Sequence, residues 1–265
     1  MKQEIKRLVD IGVLRKAKTS GWGAPTFIIP KKNGTVRFIS DFRELNKRIK
    51  RKPYPMPRIQ DMLLGLEGFK YATSLDLNMG YYHIVLDNES ATMCSIVTPW
   101  GKYEYVRLPM GLNNSPDIFQ EKMGELFQEI EAVRAYLDDL LIITKGTWEE
   151  HLEVLDRVLK KLTHAGLKVN AEKSSVGTQE LEYLGYWVST EGIAPLASKV
   201  DAILNIEPPQ TKRQLRRFIG LVNYYRDAWF KRSEILAPLT ALTSKHAKWK
   251  WSDLEQEAFD KIKRS

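Results

Sequence analysis

The chain has 265 residues of ordinary composition for a folded protein, enough for one large domain or two to three subdomains. Its net charge of +8 favours a polyanionic partner such as nucleic acid, without requiring one. The single cysteine, Cys94, excludes an internal disulfide framework and suits an intracellular setting, no zinc spacing joins it to the four histidines, and neither a membrane-length apolar run nor a secretory signal is present, so no membrane partner is expected.

Met1 leads straight into an amphipathic helix over residues 1 to 11, as in a piece cut from a longer polypeptide. Ile5, Leu8 and Val9 share one face and Gly12 is the stop. Thr26 to Pro30 reads as a strand, Lys31-Lys32-Asn33-Gly34 as a hairpin turn and Val36 to Ser40 as the returning strand, with Arg37 on the face opposite Val36 and Phe38. The result is a basic hairpin tip. Asp41 to Lys47 follows as a short charged helix, and Pro53, Pro55 and Pro57 mark a connector. Ile59, Met62, Leu63 and Leu66 predict a short helix ended by Gly68.

Tyr71 to Leu77 is a buried-type strand that contains Asp76, a carboxylate in need of a partner or a metal. His83 to Leu86 alternates like another strand, and Met93 to Thr98 with Lys102 to Val106 form a hairpin around Pro99-Trp100-Gly101. Ser115-Pro116-Asp117 starts a helix whose apolar stripe is Phe119, Met123, Leu126, Phe127 and Ile130. Val133 to Leu137 and Leu140 to Thr144 then read as strands flanking an Asp138-Asp139 turn. Adjacent carboxylates repel, and a hard divalent cation would cancel that repulsion; a solvated turn is the bland alternative.

Thr147 and Glu150 form a capping box for a helix that ends at Gly166. Tyr183 to Ser189 and Ile193 bracket a hairpin at Thr190-Glu191-Gly192. From about residue 196 only helices are expected. One begins at a Thr211/Gln214 capping box, turns Leu215, Phe218, Ile219 and Val222 inward, and carries Lys212, Arg213, Arg216 and Arg217. Those four would suit phosphates, with a solvated face as the alternative. The last helix is capped at Trp251-Ser252 and carries Ala258, Phe259 and Ile262. This order is not a βαβ alternation. It predicts an α+β fold, an antiparallel sheet with helices on one face.

Asp76, Asp138 and Asp139 together make a set that two bridged Mg²⁺ ions could use for phosphoryl transfer. Beside basic surfaces, that set points to a nucleotidyltransferase. Here the chain resembles the reverse transcriptases of gypsy-class LTR retrotransposons and retroviruses. Tyr136-Leu137-Asp138-Asp139 looks like their YxDD box, and Leu75 to Tyr82 is similar to their first aspartate motif. Leu108 to Pro116 looks like the nucleotide-side motif, and Asp41 to Asn46 like the segment after the basic fingers hairpin. Tyr183-Leu184-Gly185-Tyr186 is similar to the primer-grip hairpin, and Phe218 to Arg226 to the gypsy-class thumb.

The resemblance implies a right-hand polymerase with an antiparallel palm sheet, mixed fingers and a helical thumb. It places fingers at 1–52 and 85–114, palm at 53–84 and 115–191, and thumb at 192–265 with the start of a connection toward an RNase H domain. It implies two Mg²⁺ (or Mn²⁺) held by Asp76, Asp138, Asp139 and the Leu77 carbonyl. Lys31 or Lys32, with Arg37, would take the β- and γ-phosphates, helped by the N–H groups of Met79 and Gly80. Tyr81 matches the steric gate against a ribose 2′-hydroxyl, and Lys173 the acid that protonates pyrophosphate. Leu184, Gly185 and Tyr186 would grip the primer, and Lys212, Arg213, Arg216 and Arg217 the nucleic-acid backbone. Met110 stands where relatives carry glutamine or phenylalanine, so it can only pack beneath the nucleotide. The implied partners are an RNA or DNA template with its primer, and dNTPs. RNase H, integrase and protease motifs are absent from this stretch, and the implied setting is a cytoplasmic retroelement particle or the nucleus. The competing readings are a catalytically silent, domesticated binding module and a basic interaction protein with no nucleic-acid role. The intact aspartates, Tyr81 and Arg37 argue against decay.

Overall fold

Alternation along Tyr71–Asn78 (β4) buries Thr73, Leu75 and Leu77 on one side and turns Ser74 and Asp76 to the other. β4 is the inner strand around which the larger part of the protein is built. The computed structural model describes residues 1–17, 21–30, 34, 36–226, 229 and 231–264. These fall into two compact units, Met1–Leu181 and Glu182–Ser265.

In the first unit a helix, α1 (Lys2–Asp10), precedes β1 (Leu14–Lys16), β2 (Ala24–Pro30) and β3 (Val36–Ser40). Two short helices, α2 (Arg43–Asn46) and α3 (Ile59–Leu63), lead to β4. A 3₁₀ turn at Gly80–His83, α4 (Asn88–Met93), β5 (Ser95–Thr98) and β6 (Gly101–Tyr105) follow. Next come α5 (Ser115–Phe127), β7 (Val133–Tyr136), β8 (Asp139–Thr144), α6 (Trp148–His164) and β9 (Lys168–Thr178). β7-β8-β4-β9 form a four-stranded sheet in which every pairing is antiparallel. β1-β6-β5-β2-β3 form a second sheet, mixed because β2 runs parallel to β5.

Leu75 and Leu77 of β4 and Leu140 and Ile142 of β8 share a core with Phe119, Met123 and Phe127 of α5 and Leu155, Val158 and Leu162 of α6. The two long helices thus cover one face of the four-stranded sheet, as the pattern predicted. The mixed sheet has its own core, which includes Leu8, Leu14, Ala24, Phe42, Ile96 and Tyr105. His151 of α6 is fully buried between two threonines: its Nε2 lies 2.7 Å from Thr73 Oγ1 and its Nδ1 2.8 Å from Thr144 Oγ1. Thr147 and Glu150 close the expected capping box on α6.

In the second unit β10 (Glu180–Tyr183), β11 (Tyr186–Ser189) and β12 (Gly192–Pro195) form a meander, with β10 beginning just before the boundary. The helices α7 (Ala197–Leu204), α8 (Lys212–Tyr224), α9 (Arg232–Leu242) and α10 (Asp253–Arg264) complete it. Leu215, Phe218 and Val222 are buried. Among the described residues no helix is long and apolar enough to cross a membrane.

Several expected elements are corrected. Residues 83–86 are not a strand: the 3₁₀ turn occupies Gly80–His83, and only Val85 bridges to Arg107. Val9 is exposed, so the inner face of α1 is Ile5 and Leu8. α3 ends at Leu63, where Leu64 turns extended, and Leu66 is buried outside it. α4 is added, opened by Asp87 accepting the Ser90 N–H at 2.8 Å. Tyr183 to Ser189 is two strands broken at Leu184-Gly185, because both residues take left-handed backbone. Gln214 does not close a box on Thr211; its side chain accepts the Gln210 N–H instead.

Candidate active site

Tyr136 and Asp139 are the closing pair of the β7–β8 hairpin, so its two turn residues are Leu137 and Asp138. The expected Asp-Asp turn is therefore displaced by one residue, and Asp139 is fixed in a strand. Leu137 has φ +54°, a conformation that costs a branched residue of this size roughly 1–2 kcal/mol. Gln120 of α5 offsets that strain. Its buried amide donates to the Ala135 carbonyl at 2.9 Å and accepts the Leu137 N–H at 2.8 Å. This residue sat unremarked in the apolar stripe of its helix. Only its spacing, three before Met123 and seven before Phe127, puts it on the inner face.

Asp76 is the direct cross-strand partner of Asp139, so both lie on the sheet face away from α5 and α6. The Leu77 N–H donates to the Asp138 carbonyl at 2.8 Å and ties the turn to β4. On the other side β9 is bulged. The two-residue step from Ser74 to Asp76 is matched by a five-residue step from Asn170 to Ser175. The extra length brings Ser174 Oγ to accept the Asp76 N–H at 3.2 Å and Lys173 Nζ to 3.3 Å from Asp76 Oδ2.

Burial, then the charges of Asp138 and Asp76, push the Asp139 carboxyl up to about 6, and Lys173 opposes them. Three oxygen donors under mutual repulsion fit a hard divalent cation. Among the described residues no three His, Cys, Asp or Glu side chains are gathered tightly enough to form a finished ion cage. The carboxylates lie together at one end of the two inner strands, β4 and β8, without closing around a point.

After β4 the chain turns sharply at Met79, φ +57°, which starts the 3₁₀ turn. The Arg7 guanidinium, held bidentate by Glu4 at 2.6 and 3.0 Å, points Nη1 at Met79 Sδ, 3.8 Å away. A Cβ on Gly80 would stand 2.7 Å from Phe119 Cζ, so only glycine fits there. The Phe119 ring instead backs Tyr81, with centroids 5.2 Å apart. Burial, then Asp138 and Tyr136, raise the Tyr81 hydroxyl to about 12, so it stays protonated and neutral beside the carboxylates.

Other sequence-marked residues lie elsewhere. Arg37 is exposed on β3, in the mixed sheet rather than the aspartate sheet. Lys31 and Lys32, with Asn33 of the Asn-Gly turn, lie outside the described residues. Met110 is 51% exposed in the segment between β6 and α5. That segment is locked by Asn46, whose side chain donates to the Gly111 carbonyl at 2.8 Å and accepts the Asn113 N–H at 2.9 Å. Two sequence motifs thus meet through a residue to which sequence reasoning gave no role.

In the second unit Leu184 and Gly185 form the β10–β11 turn and Tyr186 is buried beside it. On α8, Lys212 donates to the carbonyls of Ser244 and Ala247, and Arg216 to that of Thr243 at 2.7 Å. Arg213 and Arg217 are exposed.

A family model described as reverse transcriptase (RNA-dependent DNA polymerase) matches residues 29–188. The Tf2-3 and Tf2-7 transposon polyproteins of Schizosaccharomyces pombe are each 32% identical over 265 residues, covering 99% of this chain and 20% of theirs. The chain therefore spans about a fifth of the length of these relatives. Among solved structures, the foamy viral protease-reverse transcriptase dRH in complex with double-stranded DNA is similar with a TM-score of 0.91 and 29% identity, covering 99% of this chain and 46% of that one. The foamy viral protease-reverse transcriptase in complex with RNA/DNA hybrid is similar at 0.85 and 29%, covering 99% and 36%.

Proposed function

Because the chain belongs to the reverse transcriptase (RNA-dependent DNA polymerase) family, we propose that it extends a primer 3′ end with dNTPs on an RNA or DNA template. The observation that carries this reading is the pairing of Asp76 with Asp139 beside the Asp138 turn, on the sheet face left open by the helices. The Tf2 relatives support placement in the gypsy class of LTR retroelements, and hence in a cytoplasmic retroelement particle or the nucleus.

The Asp76, Asp138 and Asp139 carboxylates and the Leu77 carbonyl would hold two Mg²⁺ (or Mn²⁺), which would supply activation of the primer 3′-oxygen and charge neutralisation of the triphosphate and pyrophosphate. Lys173, 3.3 Å from Asp76 on the bulge of β9, is placed to give a proton to the leaving group. Tyr81, backed by the tilted Phe119 ring, excludes a ribose 2′-hydroxyl. Met79 and Gly80 offer N–H groups to the triphosphate, Arg37 with Lys31 or Lys32 closes on its outer phosphates, and Met110 packs beneath the nucleotide. Leu184, Gly185 and Tyr186 hold the primer end, and α8 holds the duplex backbone chiefly through Arg213 and Arg217. Fingers at 1–52 and 85–114, palm at 53–84 and 115–191, and thumb at 192–265 remain the subdomain reading.

The foamy viral structures, bound to double-stranded DNA and to RNA/DNA hybrid, support template–primer as the partner class. Primer extension with dNTPs and Mg²⁺ on RNA and on DNA templates is the test. Extension by the wild type, lost in Asp138→Asn with template binding kept, is the expected result. A folded wild type that extends neither template overturns it.

A further inference from the structure

Two turns in this protein force a leucine into left-handed backbone. The first, at Leu137, is relieved by Gln120. The second, at Leu184, stands beside Gly185 with φ values of +48° and +83°, the two-residue geometry that matches hairpin twist but suits asparagine and glycine. A leucine there needs something to hold it.

The holding groups come from the end of α8. Tyr224 Oη donates to the Leu184 carbonyl at 2.9 Å, and Tyr225 Oη donates to the Gly185 carbonyl at 3.1 Å. The exchange is reciprocal, since Tyr186 Oη donates back to the Tyr224 carbonyl at 3.0 Å. The three rings pack on one another: Tyr186 and Tyr224 stack with centroids 6.1 Å apart, and Tyr225 sets its edge against both at 5.3 and 4.8 Å. Tyr225 is 4% exposed, and burial raises its hydroxyl, which therefore stays a donor. Gly185 is held close, because a Cβ there would stand 3.4 Å from Tyr224 Oη and 3.5 Å from Tyr225 Oη.

We propose that Tyr186, Tyr224 and Tyr225 form a hydroxyl clasp that fixes the Leu184-Gly185 turn, making Tyr225 a positioning residue for the primer 3′ end. This rests on the polymerase reading of the turn. Simple fold adhesion would need only apolar rings. Here consecutive carbonyls of a strained turn are each taken by a hydroxyl, which sets where the turn stands and not merely that it packs. The same helix that exposes Arg213 and Arg217 ends in the clasp, so duplex held by α8 and the primer end held by the turn keep one register.

The test compares wild type with Tyr225→Phe and Tyr224→Phe/Tyr225→Phe, which remove hydroxyls and keep rings. Single-turnover extension of matched and mismatched primers is measured alongside thermal unfolding and primer–template binding. The expected result is matched-primer extension slower by about 10-fold or more and weaker discrimination against a mismatched end. Unfolding temperature falls modestly, because the Leu184 and Gly185 carbonyls lose their donors, but the variants stay fully folded at the assay temperature and primer–template affinity stays close to wild type. Adding Leu184→Gly to the double variant, which removes the backbone strain, recovers part of the rate. Wild-type rate and discrimination in the folded double variant overturn the clasp alone. Losses that merely track lost folded protein also overturn it. A wild type that extends no primer removes the polymerase reading and the clasp with it.

Discussion

Asp76 and Asp139 stand directly opposite each other on adjacent antiparallel strands, two carboxylates brought together on a half-buried sheet face. Such a pairing is unfavourable for the fold by itself and useful only to a cation. Asp139→Asn removes one of the like charges. Its metal-free unfolding temperature is expected to rise, by a stabilisation of about 0.5–1 kcal/mol after solvent screening. Extension in Mg²⁺ should fall on the order of 10²–10³-fold or more. Calorimetry in chelator, run beside primer extension, checks both. A lower metal-free unfolding temperature would contradict the repulsion.

Gln120→Leu keeps the volume near Phe119 but orphans the Leu137 N–H and the Ala135 carbonyl. Each buried orphan costs about 1–3 kcal/mol. Since the turn carries Asp138, extension rate should fall together with denaturant stability. Gln120→Glu keeps an acceptor for Leu137 but sets a buried carboxylate against the Ala135 carbonyl, so at neutral pH it should lose at least as much as Gln120→Leu.

His151 gives the protein an acid-sensitive brace. Burial lowers its affinity for a proton, so the folded pKa lies below the unfolded value of 6.5. The folded state then binds fewer protons in the window between the two. Its contribution is fully present above pH 6.5 and is lost as pH falls through that window toward the folded pKa. Urea midpoints measured from pH 8 to pH 5 should fall more steeply for wild type than for His151→Gln.

Gly80→Ala places a methyl 2.7 Å from Phe119 Cζ, so the ring must move. Overpacking of this kind costs about 1–3 kcal/mol. Because Phe119 backs Tyr81, the variant should also incorporate ribonucleotides more readily, as should Tyr81→Val with little loss of stability. Competition between dNTP and rNTP on one template measures this.

Basic residues on α8 divide by what they touch. Lys212→Ala should lower thermal stability, because its ammonium ties α8 to the Ser244 and Ala247 carbonyls. Arg213→Gln and Arg217→Gln should leave stability alone, and each should reduce the salt slope of template–primer binding by about 1. Binding isotherms at several salt concentrations separate the two groups.

What the sequence revealed follows physical range. Hydrophobic period and caps located α1, α5, α6, α8 and the strands β4, β7 and β8 of the aspartate sheet, because those signals are local; β9, the long fourth strand, was not anticipated. The motifs marked the three aspartates for the same reason. Gln120, Asn46 and the Tyr224–Tyr225 pair were missed as supports. Each acts on a backbone group at least 15 residues away, and nothing in its own neighbourhood announces that. The β9 bulge was unreadable too, since a register shift exists only relative to a partner strand. Residues 83–86 read as a strand because alternation over four residues does not distinguish a strand from the end of the 3₁₀ turn and the extended segment after it.

The place of β4 between β8 and β9 also has a consequence in time. Asp76 leaves the ribosome 97 residues before its neighbour Lys173, a wait of roughly 5–20 s at ordinary elongation rates. Until then the apolar strand has an unpaired edge, the kind of surface that recruits other chains. The nascent chain must be sheltered over that interval, and the yield of folded protein will depend on the host's folding machinery as much as on the site itself.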